Sequence, residues 1–220
     1  MISVICATRK RPKYLERMCL SLFDNATDKN GFEVLLGIDN DDFSSLNEFL
    51  GYEISRKISL TIVCFQRMGY SKMNEYLNQL AKKASGEWLF IMGDDAFVNT
   101  DGWDAKLNAI NDRLICNTKN PSDPAYSAES LMHFAIHKKW IEATGRISPY
   151  QQSDTYLTAV AKRAGLWNPG WLFEVCHVDE KSAPSQRIDD EVTREIVYAN
   201  NLPHDEIEKD IKNLKAIHPC

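Results

Sequence analysis

Glu87-Trp88-Leu89-Phe90-Ile91-Met92-Gly93-Asp94-Asp95 carries five consecutive apolar residues into a glycine and two adjacent aspartates. An apolar run this short, closed by a turn residue, predicts a strand buried on both faces. Strands of that kind belong to parallel sheets covered by helices. The two carboxylates beyond its end are hard oxygen donors of the type that magnesium or manganese prefers. Neighbouring strand residues point to opposite faces, so both aspartates serve one ligand only if the chain turns there, which Gly93 eases. Taken alone, the pair could equally be a solvated turn.

The segments before it set the context. Ile2 to Ala7 predicts a first strand, Thr8-Arg9-Lys10-Arg11 a polar turn, and Pro12 the first turn of a helix striped by Leu15, Met18, Cys19 and Leu22. A second strand, Phe32 to Ile38, runs into Asp39-Asn40-Asp41-Asp42, and a third, Leu60 to Phe65, stops before Gln66-Arg67-Met68-Gly69-Tyr70. Ser71 is expected to cap a helix burying Met73, Tyr76, Leu77, Leu80, Ala81 and Ala84, with Ser85-Gly86 ending it. Alternating strands and helices predict an α/β fold with a mixed, mostly parallel sheet flanked by helices. The polar loops after three of these strands should gather on one edge, where such sheets bind ligands.

The second half is less regular. Asn117 to Ala128 reads as a loop with two prolines, Leu131 to Ile136 as a strand, and Trp140 to Ala143 as a helical turn. Ser153 is expected to cap a helix from Asp154 to Ala164, followed by the aromatic turn Trp167-Asn168-Pro169-Gly170-Trp171 and a last strand, Leu172 to Val178. Two further helices, Asp190 to Ala199 and Pro203 to Leu214, suggest a division into residues 1–181 and a helical C-terminal extension, 182–220.

Composition narrows the class. The chain is 44% hydrophobic and 26% charged, ordinary for a globular enzyme and wrong for a disordered or fibrous chain. With 31 acidic against 26 basic residues and a net charge of -5, it carries no strong signal for non-specific nucleic-acid binding. Six scattered cysteines, Cys6, Cys19, Cys64, Cys116, Cys176 and Cys220, read as reduced thiols without metal-binding spacing. No basic leader precedes the first strand and no apolar run is long enough to span a bilayer, so the expected location is cytoplasmic.

The ordered elements resemble the family-2 glycosyltransferases with the GT-A fold. Val4 to Pro12 with Tyr14-Leu15 resembles that family's first strand, turn and helix, and Leu36-Gly37-Ile38-Asp39-Asn40 its second strand. Arg67-Met68-Gly69-Tyr70-Ser71-Lys72-Met73-Asn74 stands where the family often has an asparagine-arginine-glycine run, and Ala84 to Asp95 matches the approach to its Asp-x-Asp motif. The likeness covers residues 1–106 well and thins through 154–165. It implies a GT-A-like nucleotide-diphospho-sugar transferase, acting on a nucleotide-diphosphate sugar, with UDP-sugars favoured and an unidentified acceptor. The implied chemistry is sugar transfer with inversion.

The resemblance also distributes roles. Asp39 would face the nucleobase, Asp94 the ribose or an outer-shell water, and Asp95 would hold Mn2+ or Mg2+. Family members commonly carry an acid where this chain has Gly93, and His177 stands where related enzymes return a histidine to the metal. Thr8, Arg11, Arg67 and Lys72 are candidate donor contacts, since arginine pairs bidentately with phosphate. Asp154 is the candidate base for the acceptor hydroxyl, although the family often precedes it with glutamate where Ser153 stands. Asp123, Glu129 and Asp179 are reserve bases; Trp167, Trp171 and Tyr150 are candidate acceptor-side aromatics. His133 and His137 are four apart without the pattern of a zinc-hydrolase helix and are assigned no metal. A nucleotidyltransferase, or a silent binding protein of the same fold, would use the same aspartates differently.

Overall fold

Ile2–Thr8 (β1), Phe32–Asp39 (β2), Ser59–Phe65 (β3) and Trp88–Ile91 (β4) form a parallel half-sheet in a computed structural model that describes residues 1–168, 170–177 and 202–218. Alternation within β1 explains why both faces are apolar: Ile2, Val4 and Cys6 enter one core and Ile5 the other. Helices Pro12–Asn25 (α1), Phe43–Gly51 (α2) and Trp103–Asn108 (α4) cover the first face, where Leu15, Met18, Leu22, Phe49 and Trp103 are buried. Helix Met73–Ala81 (α3) covers the second through Tyr76, Leu77 and Leu80.

The sheet then reverses direction. Phe134–His137 (β7) pairs antiparallel with β4, Ile115–Lys119 (β6) antiparallel with β7, Trp171–His177 (β8) parallel with β6, and Ala96–Val98 (β5) antiparallel with β8. The strand order is β3-β2-β1-β4-β7-β6-β8-β5. The result is a curled, mixed α/β sheet flanked by helices, in which three parallel pairings are followed by a mixed half of three antiparallel pairings and the parallel pair β6-β8. Lys138–Thr144 (α6), Ser153–Ala164 (α7) and His204–Ile217 (α8) complete the second face, with Tyr156, Leu157, Val160, Ile207 and Leu214 buried.

A buried carboxylate sets the start of β4. Glu33 Oε1 accepts from the Ser3 hydroxyl at 2.6 Å, the Ser85 amide at 2.8 Å and the Ser85 hydroxyl at 2.6 Å. The Gly86 amide donates to Ser3 Oγ at 2.8 Å, and a Cβ on Gly86 would lie 2.6 Å from the Ser3 nitrogen. Glycine is needed there because the backbones touch.

Several expectations change. Residues 117–128 are not one loop: the stretch supplies the end of β6 and most of the short helix Pro124–Glu129 (α5). Asn117 Nδ2 donates to the Ser127 carbonyl at 2.5 Å, tying the two together. Ser71 is not a cap but lies in the 3-10 turn Tyr70–Lys72, with Lys72 at the cap position of α3. Ser153 begins α7 rather than capping it, and its hydroxyl donates to the Tyr150 carbonyl at 3.3 Å. Helices α2 and α4 and strand β5 were not expected; each is short, and α4 and β5 both pack on β8, distant in sequence. The helix expected at residues 190–199 and the boundary at 182 lie outside the described residues. Cys6, Cys19, Cys64, Cys116 and Cys176 are free thiols, with Cys64 exposed. Among the described residues no helix is long and apolar enough to cross a membrane.

Candidate active site

The carboxyl ends of β1, β2 and β4 reach one edge of the sheet, as parallel pairing requires. Because β7 runs the other way, its amino end arrives at that same edge, with Phe134 opposite Ile91. These ends open into a cleft of about 940 Å³ lined by Thr8, Asp39, Asp94, Asp95, Asp154 and His177 among others. Five of the sequence-expected residues thus meet the sixth, Asp154, across a single space, and Arg11 and Arg67 also line it. Lys72 does not; it is exposed at the start of α3.

The acidic pair is already held by the first turn. Thr8 Oγ1 donates to Asp94 Oδ2 at 2.7 Å, and Arg11 Nη1 lies 3.1 Å from both Asp94 Oδ1 and Asp95 Oδ2. Burial pushes the Asp94 carboxyl up to about 6, an effect that Arg11 opposes and Asp95 reinforces. Gly93 shapes Asp95: a Cβ there would sit 2.7 Å from Asp95 Oδ1, so the missing side chain is the space the carboxylate occupies. The backbone turn after β4 lets both aspartates face the cleft.

At the other end, Asp39 is held from two sides. Tyr76 donates its hydroxyl to Asp39 Oδ1 while accepting from the Met68 amide at 2.8 Å, and Arg9 Nη1 reaches Asp39 Oδ2 at 3.0 Å. Burial and the Asp39 carboxylate push the Tyr76 phenol up to about 12. Arg9 also pairs with both oxygens of Asp41, and Arg67 Nη1 is 3.7 Å from Asp41. Sequence reasoning missed Arg9. Between Arg9 and Arg11, Lys10 adopts a positive φ of 54°, a turn of the backbone that the order of residue types does not announce.

His177 reaches the site through strand pairing: it stands opposite Ala96, the residue after Asp95, and its Nδ1 lies 3.8 Å from Asp95 Oδ1. One carboxylate and one imidazole are what the chain offers a divalent cation at this point. No group of three histidine, cysteine or acidic side chains is placed to hold a metal among the described residues.

Asp154 stands in the first turn of α7 and accepts from the Thr155 amide at 2.8 Å. Burial raises its pKa, with that hydrogen bond opposing the shift. The helix dipole alone would have made it a weaker base. Of the reserve bases, Asp123 caps α5 by accepting from the Tyr126 amide at 3.1 Å, Glu129 ends the same helix, and Asp179 is outside the described residues.

The expected aromatic loop does not line the cleft. Trp167 packs on the second core with Lys162 5.1 Å above its ring, Tyr150 packs there too, and Trp171 donates to the Ser127 carbonyl at 3.2 Å. Tyr70 and Tyr126 line the cleft instead, 37% and 41% exposed. His133, passed over in the sequence, also lines it. Burial and the neighbouring His177 depress its pKa to about 3, with Asp95 opposing, so the ring is neutral at pH 7.

The chain shares the fold of a mannosyltransferase. That protein, PcManGT from Pyrobaculum calidifontis, solved with GDP-Man and Mn2+, superposes with a TM-score of 0.65 at 14% identity over 98% of this chain and 74% of its own. TarS 1-349 from S. aureus in complex with UDP gives 0.59 at 15% identity over 99% and 72%. The UDP-GlcNAc complex of the same protein gives 0.55 at 16% identity, over 72% of this chain and 52% of that one. No family model and no curated protein sequence matches the chain.

Proposed function

We propose that this protein is a glycosyltransferase that moves a sugar from a nucleotide-diphosphate sugar to an acceptor hydroxyl, with inversion. The observation carrying this reading is the cleft that joins Asp39, Thr8 and the Asp94-Asp95 pair along one sheet edge and sets Asp154 across from them. Its support is the fold shared with proteins solved with GDP-Man, UDP and UDP-GlcNAc, one of them a mannosyltransferase. UDP-sugars are the favoured donors. In this reading Asp39 receives the base, and Arg11 and Arg67 face the diphosphate. The location is cytoplasmic, and the catalytic domain spans residues 1–181.

Asp154 accepts the proton of the acceptor hydroxyl as its oxygen forms a bond to the anomeric carbon. The bond from that carbon to the diphosphate oxygen breaks on the opposite side, and its electron pair leaves with the nucleoside diphosphate. Mn2+ or Mg2+, held by Asp95 and His177, would offset the charge on the departing diphosphate. Arg11, already bridging both aspartates, orients the pair and supplies positive charge at the same place.

Incubation with nucleotide sugars and a panel of acceptors, followed by product analysis, tests this. Release of nucleoside diphosphate is expected, with Asp95→Ala and Asp154→Asn each lowering turnover by roughly 10² to 10⁴ while the circular dichroism spectrum persists. Pyrophosphate released from nucleoside triphosphates would make it a nucleotidyltransferase. Tight nucleotide-sugar binding without hydrolysis or transfer would make it a silent binding protein.

A further inference from the structure

His133 precedes β7 at the point where the mixed half of the sheet meets the cleft. It is 5% exposed, and its Nδ1 accepts from the Gly93 amide at 3.4 Å. Accepting at Nδ1 places the proton of the neutral ring on Nε2. That N–H has no hydrogen-bond partner among the described residues. Buried donors nearly always find an acceptor, because leaving one unpaired is costly. His133 lines the cleft, so the acceptor expected here is on a ligand; Nε2 itself is enclosed, and a ligand oxygen reaches it only as the ring or its neighbours shift.

The surroundings restrict what that ligand atom is. Asp95 Oδ1 and His133 Cε1 lie 2.7 and 3.6 Å from the point where a Gly93 side chain would begin, so both flank the space left by that glycine. The His177 ring is 4.8 Å away at 32°. A protonated nitrogen does not ligate a cation, which separates His133 from the role given to Asp95 and His177. A neutral N–H beside a carboxylate suits an uncharged acceptor better than a phosphate.

Position along the edge names the acceptor. The strand order β2-β1-β4-β7 sets Asp39, Thr8, Asp94 and His133 in that sequence across the cleft. A ligand with its base at Asp39 and its diphosphate near Thr8 and the acidic pair carries its sugar toward His133. We propose that His133 is a specificity-determining residue whose Nε2–H donates to a hydroxyl of the transferred sugar. This rests on the reading of the cleft as a nucleotide-sugar site.

The test is calorimetric titration of the full chain with UDP, GDP, UDP-glucose, UDP-galactose, UDP-GlcNAc and GDP-mannose in the presence of Mn2+. His133→Asn keeps an acceptor for the Gly93 amide but lacks the outer donor; His133→Gln returns an amide N–H near the Nε2 position. His133→Asn is expected to weaken the tightest nucleotide sugar by about tenfold, a typical loss for one hydrogen bond. Its affinity for the matching nucleoside diphosphate should stay within about twofold, and His133→Gln should recover most of the loss. In wild-type protein labelled with 15N-histidine, the Nε2–H resonance should move further with the nucleotide sugar than with the diphosphate alone. Unchanged nucleotide-sugar affinity in His133→Asn, an equal loss for the diphosphate, or an unmoved Nε2–H resonance overturns the assignment to the sugar. A wild-type chain that binds no member of the panel overturns the donor-site reading itself.

Discussion

Gly93 and Asp95 show how one absent side chain shapes a charge. In Gly93→Ala the new methyl would meet Asp95 Oδ1 at 2.7 Å, closer than real contacts allow, so the carboxylate must leave its present position beside His177. The substitution is expected to lower nucleotide-sugar turnover by roughly tenfold or more, the cost of a misplaced ligand or positioning group. The melting temperature should change by only about 2 °C, since no apolar contact is lost. Steady-state kinetics alongside thermal denaturation check this, and wild-type turnover would show that Asp95 does not need its present rotamer. Asp94 and Asp95 were legible in the sequence because a short apolar strand must end somewhere polar. Arg9 was not, because nothing local distinguishes an arginine that reaches Asp39, thirty residues on, from one facing solvent.

Helix α8 is the element whose packing could least be inferred from its stripe of Ile207, Ile211 and Leu214 alone. Its Asp210 is fully buried and accepts from the Tyr156 hydroxyl at 2.6 Å, while Arg146 lies 3.3 Å away and also pairs with Glu206. Burial raises the Asp210 pKa, and Tyr156 and Arg146 pull against that rise. Tyr156 belongs to α7, the helix that carries Asp154, so this contact fastens the base-bearing helix from behind. Arg146→Ala leaves the buried carboxylate short of its cation and should cost about 2–3 kcal/mol, less than for a fully enclosed pair because Arg146 is itself partly exposed. Tyr156→Phe removes one hydrogen bond and should cost about 1 kcal/mol. Urea denaturation would rank the two variants; a Tyr156→Phe loss larger than that of Arg146→Ala would show that the ion pair contributes little.

Acid stability belongs to the whole molecule, and two cleft residues pull it in opposite directions. His133 falls from an ordinary 6.5 to about 3 in the fold, so below pH 6.5 the unfolded chain takes up a proton that the native state refuses. Its contribution is therefore present above 6.5 and lost as pH falls toward 3. Asp94 rises from 3.8 to about 6, so its contribution is present below 3.8 and lost as pH rises through 6. In chelator, melting temperatures between about pH 7.5 and 4.5 should decline less steeply for His133→Asn than for wild type, and more steeply for Asp94→Asn. Parallel curves for all three would show that neither group titrates as its burial implies. The same two residues divide what could be read along the chain from what could not. Asp94, Thr8 and Asp39 end strands whose apolar runs mark them locally, and parallel pairing through helical crossovers brings such ends to one edge in any α/β sheet. His133 stands at the start of a strand, and only the antiparallel pairing of Ile91 with Phe134 turns that start toward the cleft. Strand direction is decided by pairing between segments more than forty residues apart, and an apolar run buried on both faces reads the same in either direction.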